Sequence, residues 1–246
     1  MARGPRKSPD RSLDLSRHLL PIDSLPSPLL ASALFASGPS SDLGSQSPVE
    51  VEVGSGKGLF LTTAAKTFPN RKFVGVEIAK PYASLCASRL VQQGLTNAVM
   101  VMGDAGVLFR HLLADACLAA VHVYFPDPWW KARHRKRRVL STEFLTHAAR
   151  TIKPGGSLHI WSDVEDYFIE SLELAAATVS YETPRDVPEQ SAVHDLDYRT
   201  HFERRTRLTG GRVWRTVLIR NESPPKCDRL PLPDEQDAVD RHPPHD

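Results

Sequence analysis

The sequence predicts a doubly wound α/β fold, a mostly parallel sheet covered by helices on both faces. Three observations predict it. Short β-branched runs alternate with helix-length segments between residues 49 and 220. The first run ends in the glycine-rich turn "VGSGKG". Acidic residues stand at or near the ends of the first three runs, Glu52, Glu77 and Asp104. Such folds bind ligands at the carboxyl ends of their strands.

The elements follow in order. "VEVEV" (49–53) is the first strand, and "LFLTTAAKTF" after the glycines is a helix. "KFVGVEI" (72–78) is the second strand; its helix, "PYASLCASRLVQQ", carries Pro81 in the first turn. "AVMVMG" (98–103) precedes a short helix near "AGVLFRHLL". "LAAVHVYF" (118–125) is the fourth strand. "STEFLTHAARTI" is a helix opened by Ser141 or Thr142. "PGGSLHIWSD" (154–163) is a turn and strand, "VEDYFIESLELAAATV" a helix, and "RVWRTVLIR" (212–220) the last strand. Residues 1–48 are a Pro/Ser-rich extension in which only "LDLSRHLLPI" and "PLLASALFA" can order. Residues 221–246 read as a disordered Pro-rich tail.

Composition narrows the function classes. The chain has 246 residues, 41% hydrophobic and 24% charged, with net charge +2. The whole molecule is therefore not a polycation, but its positive charge is clustered. Three widely spaced cysteines form neither a disulfide framework nor a zinc site, and no metal is expected. The N-terminus lacks a secretory apolar stretch and no run is long enough to span a bilayer, so a cytoplasmic protein is expected. Oligomeric state, monomer or homodimer, is left open.

The glycine turn fails two phosphate-binding patterns. Lys57 is followed by Gly58 rather than Ser or Thr, so it is no P-loop. Leu59 stands where the dinucleotide fingerprint needs its third glycine. The pattern present is acid-x-Gly54-x-Gly56-x-Gly58, which resembles the first motif of class I S-adenosylmethionine-dependent methyltransferases and implies their seven-stranded Rossmann-like sheet. A tight ligand-free turn is the alternative. Glu77, about 20 residues on, is placed to accept hydrogen bonds from ribose hydroxyls. By the resemblance Asp104 lies beside the adenine. A carboxylate-lined pocket suits a sulfonium better than a pyrophosphate.

After the fourth strand comes "FPDPWWKARHRKRR". Pro126 and Pro128 stiffen the backbone around Asp127. From Lys131 to Arg138 six of eight residues are Lys or Arg. Such a run beside a cofactor end suits phosphate, and Trp129 or Trp130 suits a stacked base. One tryptophan is expected to pack inward.

These residues resemble the signature of the bacterial tRNA (guanine-N7-)-methyltransferase family. "VEVGSGKG", "FVGVEI", "GDA", "IWSD" and "YRTHFERR" match it in order over residues 49–220, while Trp130 departs from it. The resemblance implies that Glu52, Gly54, Gly56, Glu77, Asp104 and Asp127 bind S-adenosylmethionine. It implies that Lys131, Asp163, Thr200, His201, Phe202 and Glu203 hold a guanosine of the tRNA variable loop. Arg133, His134, Arg135, Lys136, Arg137 and Arg138 would meet the tRNA backbone. Guanine N7 has an in-plane lone pair and no proton, so no general base is required. Asp127 is the expected catalytic residue, stabilising charge on the purine. Two rivals remain: an amino methyltransferase, whose loop has a second proline here, and an RNA-binding module with a purely structural glycine turn.

Overall fold

The computed structural model describes residues 12–35, 47–178, 180–191 and 198–232. Eight strands form one sheet: β1 (Leu19–Pro21), β2 (Val49–Val53), β3 (Lys72–Glu77), β4 (Ala98–Met102), β5 (Leu118–Tyr124), β6 (Ile152–Ser162), β7 (Arg185–Asp186) and β8 (Trp214–Ile219). Their order is β1-β4-β3-β2-β5-β6-β8-β7, parallel except where β8 meets β6 and β7. The order reverses between β2 and β5, so the glycine turn after β2 stands at the switch point where such sheets bind ligands.

Among the described residues six α-helical segments accompany the sheet: α1 (Leu59–Thr67), α2 (Lys80–Gln92), α3 (Ala105–Val107), α4 (Thr142–Thr151), α5 (Glu165–Ala177) and α6 (His201–Leu208). Every residue of β2 and β3 is buried, because helices cover both faces. Val51, Val121 and Ile160 fill one face; Phe60, Phe73, Tyr124 and Trp161 fill the other. Local chemistry sets the helix starts. The Ser141 hydroxyl accepts from Phe144 N at 3.2 Å, capping α4. Gly58, at φ 74°, enters α1, and a Cβ there would fall 2.1 Å from Cys86 Sγ.

Among the described residues the sheet has eight strands against the seven expected, and two of them, β1 from the N-terminal extension and the short β7, answer to none of the six runs legible as strands. β1 pairs with β4 and covers that edge of the sheet. Leu29, Ala31 and Phe35, from the second stretch expected to order, are buried in the core. The segment after β4 is not one helix: α3 gives way to a π turn over Leu108–Leu112. A disordered tail was expected from 221, yet its described part, to 232, makes hydrogen bonds. Arg229 donates to Ser27 Oγ at 2.6 Å, and Leu230 N donates to Arg110 O at 2.9 Å. Among the described residues, no helix is long and apolar enough to cross a membrane.

Candidate active site

The glycine turn is drawn against β3. Gly54 N and Ser55 N both donate to Val76 O, at 2.9 and 3.1 Å. Gly54 and Gly56 have φ of 72° and 53°, in the left-handed region. A Cβ on Gly54 would meet nothing within 4 Å, so this backbone faces open space. Glu77 staples the turn: its carboxylate accepts from Gly56 N at 2.9 Å and from Ala79 N at 2.8 Å. Ile78 beside it is an apolar residue left 71% exposed at the mouth of the site. Asp104 is exposed, and its carboxylate caps α3 by accepting from Gly106 N at 2.6 Å.

Glu52 is different. It is buried, and its Oε2 has no hydrogen-bond partner. Burial pushes its carboxyl up to about 8, against the pull of the Ser55 hydroxyl and with a further push from Glu77. An orphaned buried carboxyl beside an open glycine turn fits a cationic group. Trp161 Nε1, at the end of β6, is a second buried polar atom without a partner.

The Asp127 loop leaves β5 under strain. Phe125 has φ 52° and Trp129 has φ 43°, positions that bulky side chains rarely adopt. Between them Asp127 is exposed to solvent. The basic run forms a short 3₁₀ helix, Ala132–Arg137. Lys131, Arg133, Arg135, Lys136 and Arg137 are exposed, and His134 is half-buried. Trp129 packs inside the loop, edge-on to His134 at 5.7 Å and beneath Arg137 at 5.1 Å. Trp130 is 64% exposed. Trp129 is half-buried against its own loop and belongs to neither apolar core, so neither tryptophan packs into the core as expected.

Arg138 stands apart from the rest of the run. Its guanidinium donates to Pro128 O at 2.7 Å and pairs with Glu170 on α5 at 2.6 Å. It also lies over the Tyr167 ring at 4.7 Å. It ties the loop to the body instead of facing outward with its neighbours.

Helix α6 closes the other side. Thr200 Oγ1 accepts from Glu203 N at 3.0 Å, while the Glu203 carboxylate accepts from Arg199 N at 2.7 Å. Glu203 is buried and also meets Arg215 at 3.2 Å and Arg207 at 3.3 Å. It is therefore a clamp for α6, with its oxygens turned toward arginines. Phe202 is 50% exposed and stacks on Phe125 at 6.3 Å. His201 is exposed in the same turn. Asp163, exposed at the end of β6, accepts from Thr206 Oγ1 at 3.4 Å.

The structure thus brings Glu52, Gly54, Gly56 and Glu77 together at the switch point. Asp127 and Asp163 lie beyond the neighbouring strand ends, and Phe202 of α6 stacks on Phe125 between β5 and Asp127. Arg199, Ile78 and Trp161 also border this region but were missed by sequence reasoning. Each lies inside a quoted motif, "YRTHFERR", "FVGVEI" and "IWSD", close to the residue singled out there, and only its place in the fold marks it.

Comparison with known proteins bears on family and fold. Residues 46–216 match a family described as "Putative methyltransferase". A tRNA (guanine-N(7)-)-methyltransferase of Rhodopirellula baltica is 43% identical over 91% of this chain and 81% of its own length. Its namesake in Aeromonas hydrophila is 31% identical over 87% of each chain. Among solved structures, the 16S rRNA methyltransferase KamB superposes with TM-score 0.54 at 19% identity, over 75% of this chain and 92% of that one. A SAM-dependent O-methyltransferase of Thermotoga maritima does so at TM-score 0.51 and 14% identity, over 81% and 66%. These two structural likenesses establish the shared fold. With its family match and its relatives, the chain belongs to the tRNA (guanine-N(7)-)-methyltransferase family.

Proposed function

We propose that this protein methylates N7 of a guanosine in the tRNA variable loop, within a catalytic domain of residues 49–220. The observation that carries the reading is the join between two half-sites. An unpartnered buried Glu52 beside open glycine backbone lies next to a strained, Asp127-bearing loop with an outward basic face.

S-adenosylmethionine, when bound, supplies the methyl group. Glu52 faces its positive charge, and the second lone pairs of the Glu77 carboxylate are available to ribose hydroxyls. Ile78 offers an apolar surface to the adenine, and Asp104 marks the far end of that pocket. Asp127 accepts hydrogen bonds from the guanine N1–H and amino group and stabilises the cationic purine. Because N7 carries no proton, the chain needs to orient the base more than to move protons. Phe202 and Trp130 give exposed aromatic faces for bases, with Asp163, Thr200 and His201 beside them. Lys131, Arg133, His134, Arg135, Lys136 and Arg137 hold the backbone. Arg138 and Glu203 act by positioning the loop and α6.

The test is transfer to two tRNA transcripts that differ only at the variable-loop guanosine. The guanosine transcript is expected to accept methyl groups and the adenosine transcript is not. Equal labelling of both would overturn the assignment of that nucleotide.

A further inference from the structure

A chain of polar groups, buried at Glu50, His122 and Tyr124 and exposed at its two arginine ends, runs beneath the acceptor side of the site. Arg71 pairs with Glu50 at 2.5 Å. Glu50 Oε2 meets His122 Nε2 at 2.8 Å, and His122 Nδ1 meets the Tyr124 hydroxyl at 2.8 Å. The Arg199 guanidinium stands beside Tyr124, over the Phe60 and Trp161 rings that pack on the tyrosine at 5.1 and 5.0 Å, and its charge pulls against the upward push of burial on the hydroxyl. Arg199 lies 5.3 Å from the Trp161 ring centre and 5.9 Å from that of Phe60. His122 also stacks on His159 at 4.7 Å.

The proton order along this chain is fixed by what each end can do. Burial pushes Glu50 up, but His122 and Arg71 outweigh it and hold the carboxyl at about 2. An ionised Glu50 only accepts. Burial keeps His122 below its ordinary value, so it is a neutral ring at neutral pH. Nε2–H must then donate to Glu50, which leaves Nδ1 to accept from the Tyr124 hydroxyl. The Tyr124 oxygen is free to accept from Arg199. Every donor in the series therefore points toward Glu50.

Stability is a weak reason for such a series, since apolar residues of similar size often replace buried ionic groups without loss. Its far end offers a better one. Arg199 immediately precedes the Thr200 cap of α6, and its backbone N–H donates to Glu203. From this geometry, and resting on the function proposed above, we infer that Glu50, His122 and Tyr124 are positioning residues. They hold Arg199, and with it the Thr200–Glu203 turn, in the place that receives the methyl acceptor.

Tyr124→Phe removes only the hydroxyl. It is expected to raise KM for tRNA about tenfold, with kcat and the Kd for S-adenosylmethionine within about twofold of wild type. Arg199→Ala should give a similar rise, Arg199→Lys part of the recovery, and the double variant no more than Arg199→Ala alone. An unchanged KM in Tyr124→Phe, additive losses, or a loss confined to cofactor binding would overturn the inference. If wild-type protein forms no 7-methylguanosine, the functional reading fails on its own. Hydrogen exchange then still judges the relay: Tyr124→Phe should speed exchange in 199–208 while β2 and α1 stay protected, and no selective change there would overturn it.

Discussion

Glu52 sits buried with an unpartnered oxygen, and its carboxyl is pushed up to about 8. At neutral pH the cofactor-free protein therefore holds a proton there. A bound cation favours the ionised form, so binding of S-adenosylmethionine at pH 7 should release up to about one proton. Calorimetry in buffers of different ionisation enthalpy checks this, and Glu52→Gln should abolish the release. The sign for stability follows from the same values. The unfolded chain loses this proton near 4.5 and the folded one near 8, so this group makes the free protein less stable as pH rises between them. Glu50 acts oppositely: its contribution is full above 4.5 and is lost as pH falls toward about 2. In the proposed reaction Asp127 stabilises charge developing on the base. Asp127→Ala should lower kcat by about 10²-fold, the scale of one lost electrostatic stabiliser, in steady-state assays with folded protein.

At the scale of elements, turns and helix starts set the site. Gly58 combines a left-handed backbone with contact against Cys86. Gly58→Ala should lower stability by about 2 kcal/mol or more in denaturant titrations. Adding Cys86→Ala should recover only part, because the sulfur clash goes while the strained φ stays. The strands and the glycine turn were legible in the sequence because β-branched runs and glycine spacing are local signals. Asp127 and its basic run were legible as one contiguous motif. Arg138 was not, since nothing within the run distinguishes an arginine that faces Glu170 from one that faces solvent. Glu203 likewise reads as a motif acid, and only the approach of Arg207 and Arg215 turns it into a clamp. The relay through Glu50, His122 and Tyr124 joins strands 72 residues apart and leaves no local pattern. β1 is three residues long, too short for any periodic signal, and it exists because β4 offers an open edge.

At the scale of the whole molecule, charge is nearly balanced while one face is basic. Binding of tRNA should therefore depend on salt through that face alone. With about four cations on single-strand-like phosphates, log K should fall with log salt at a slope of about −3. Charge-neutral substitution of Arg135 and Lys136 should flatten the slope, while Arg138→Ala should lower turnover and leave the slope nearly unchanged. The central claim joins the cofactor half-site to the Asp127 loop as one methyl-transfer centre. Its most direct test is transfer from labelled S-adenosylmethionine to unmodified bulk tRNA, followed by nucleoside analysis. The account predicts label in 7-methylguanosine, lost in Asp127→Ala. Label in another nucleoside, or tight tRNA binding with no transfer, would contradict it.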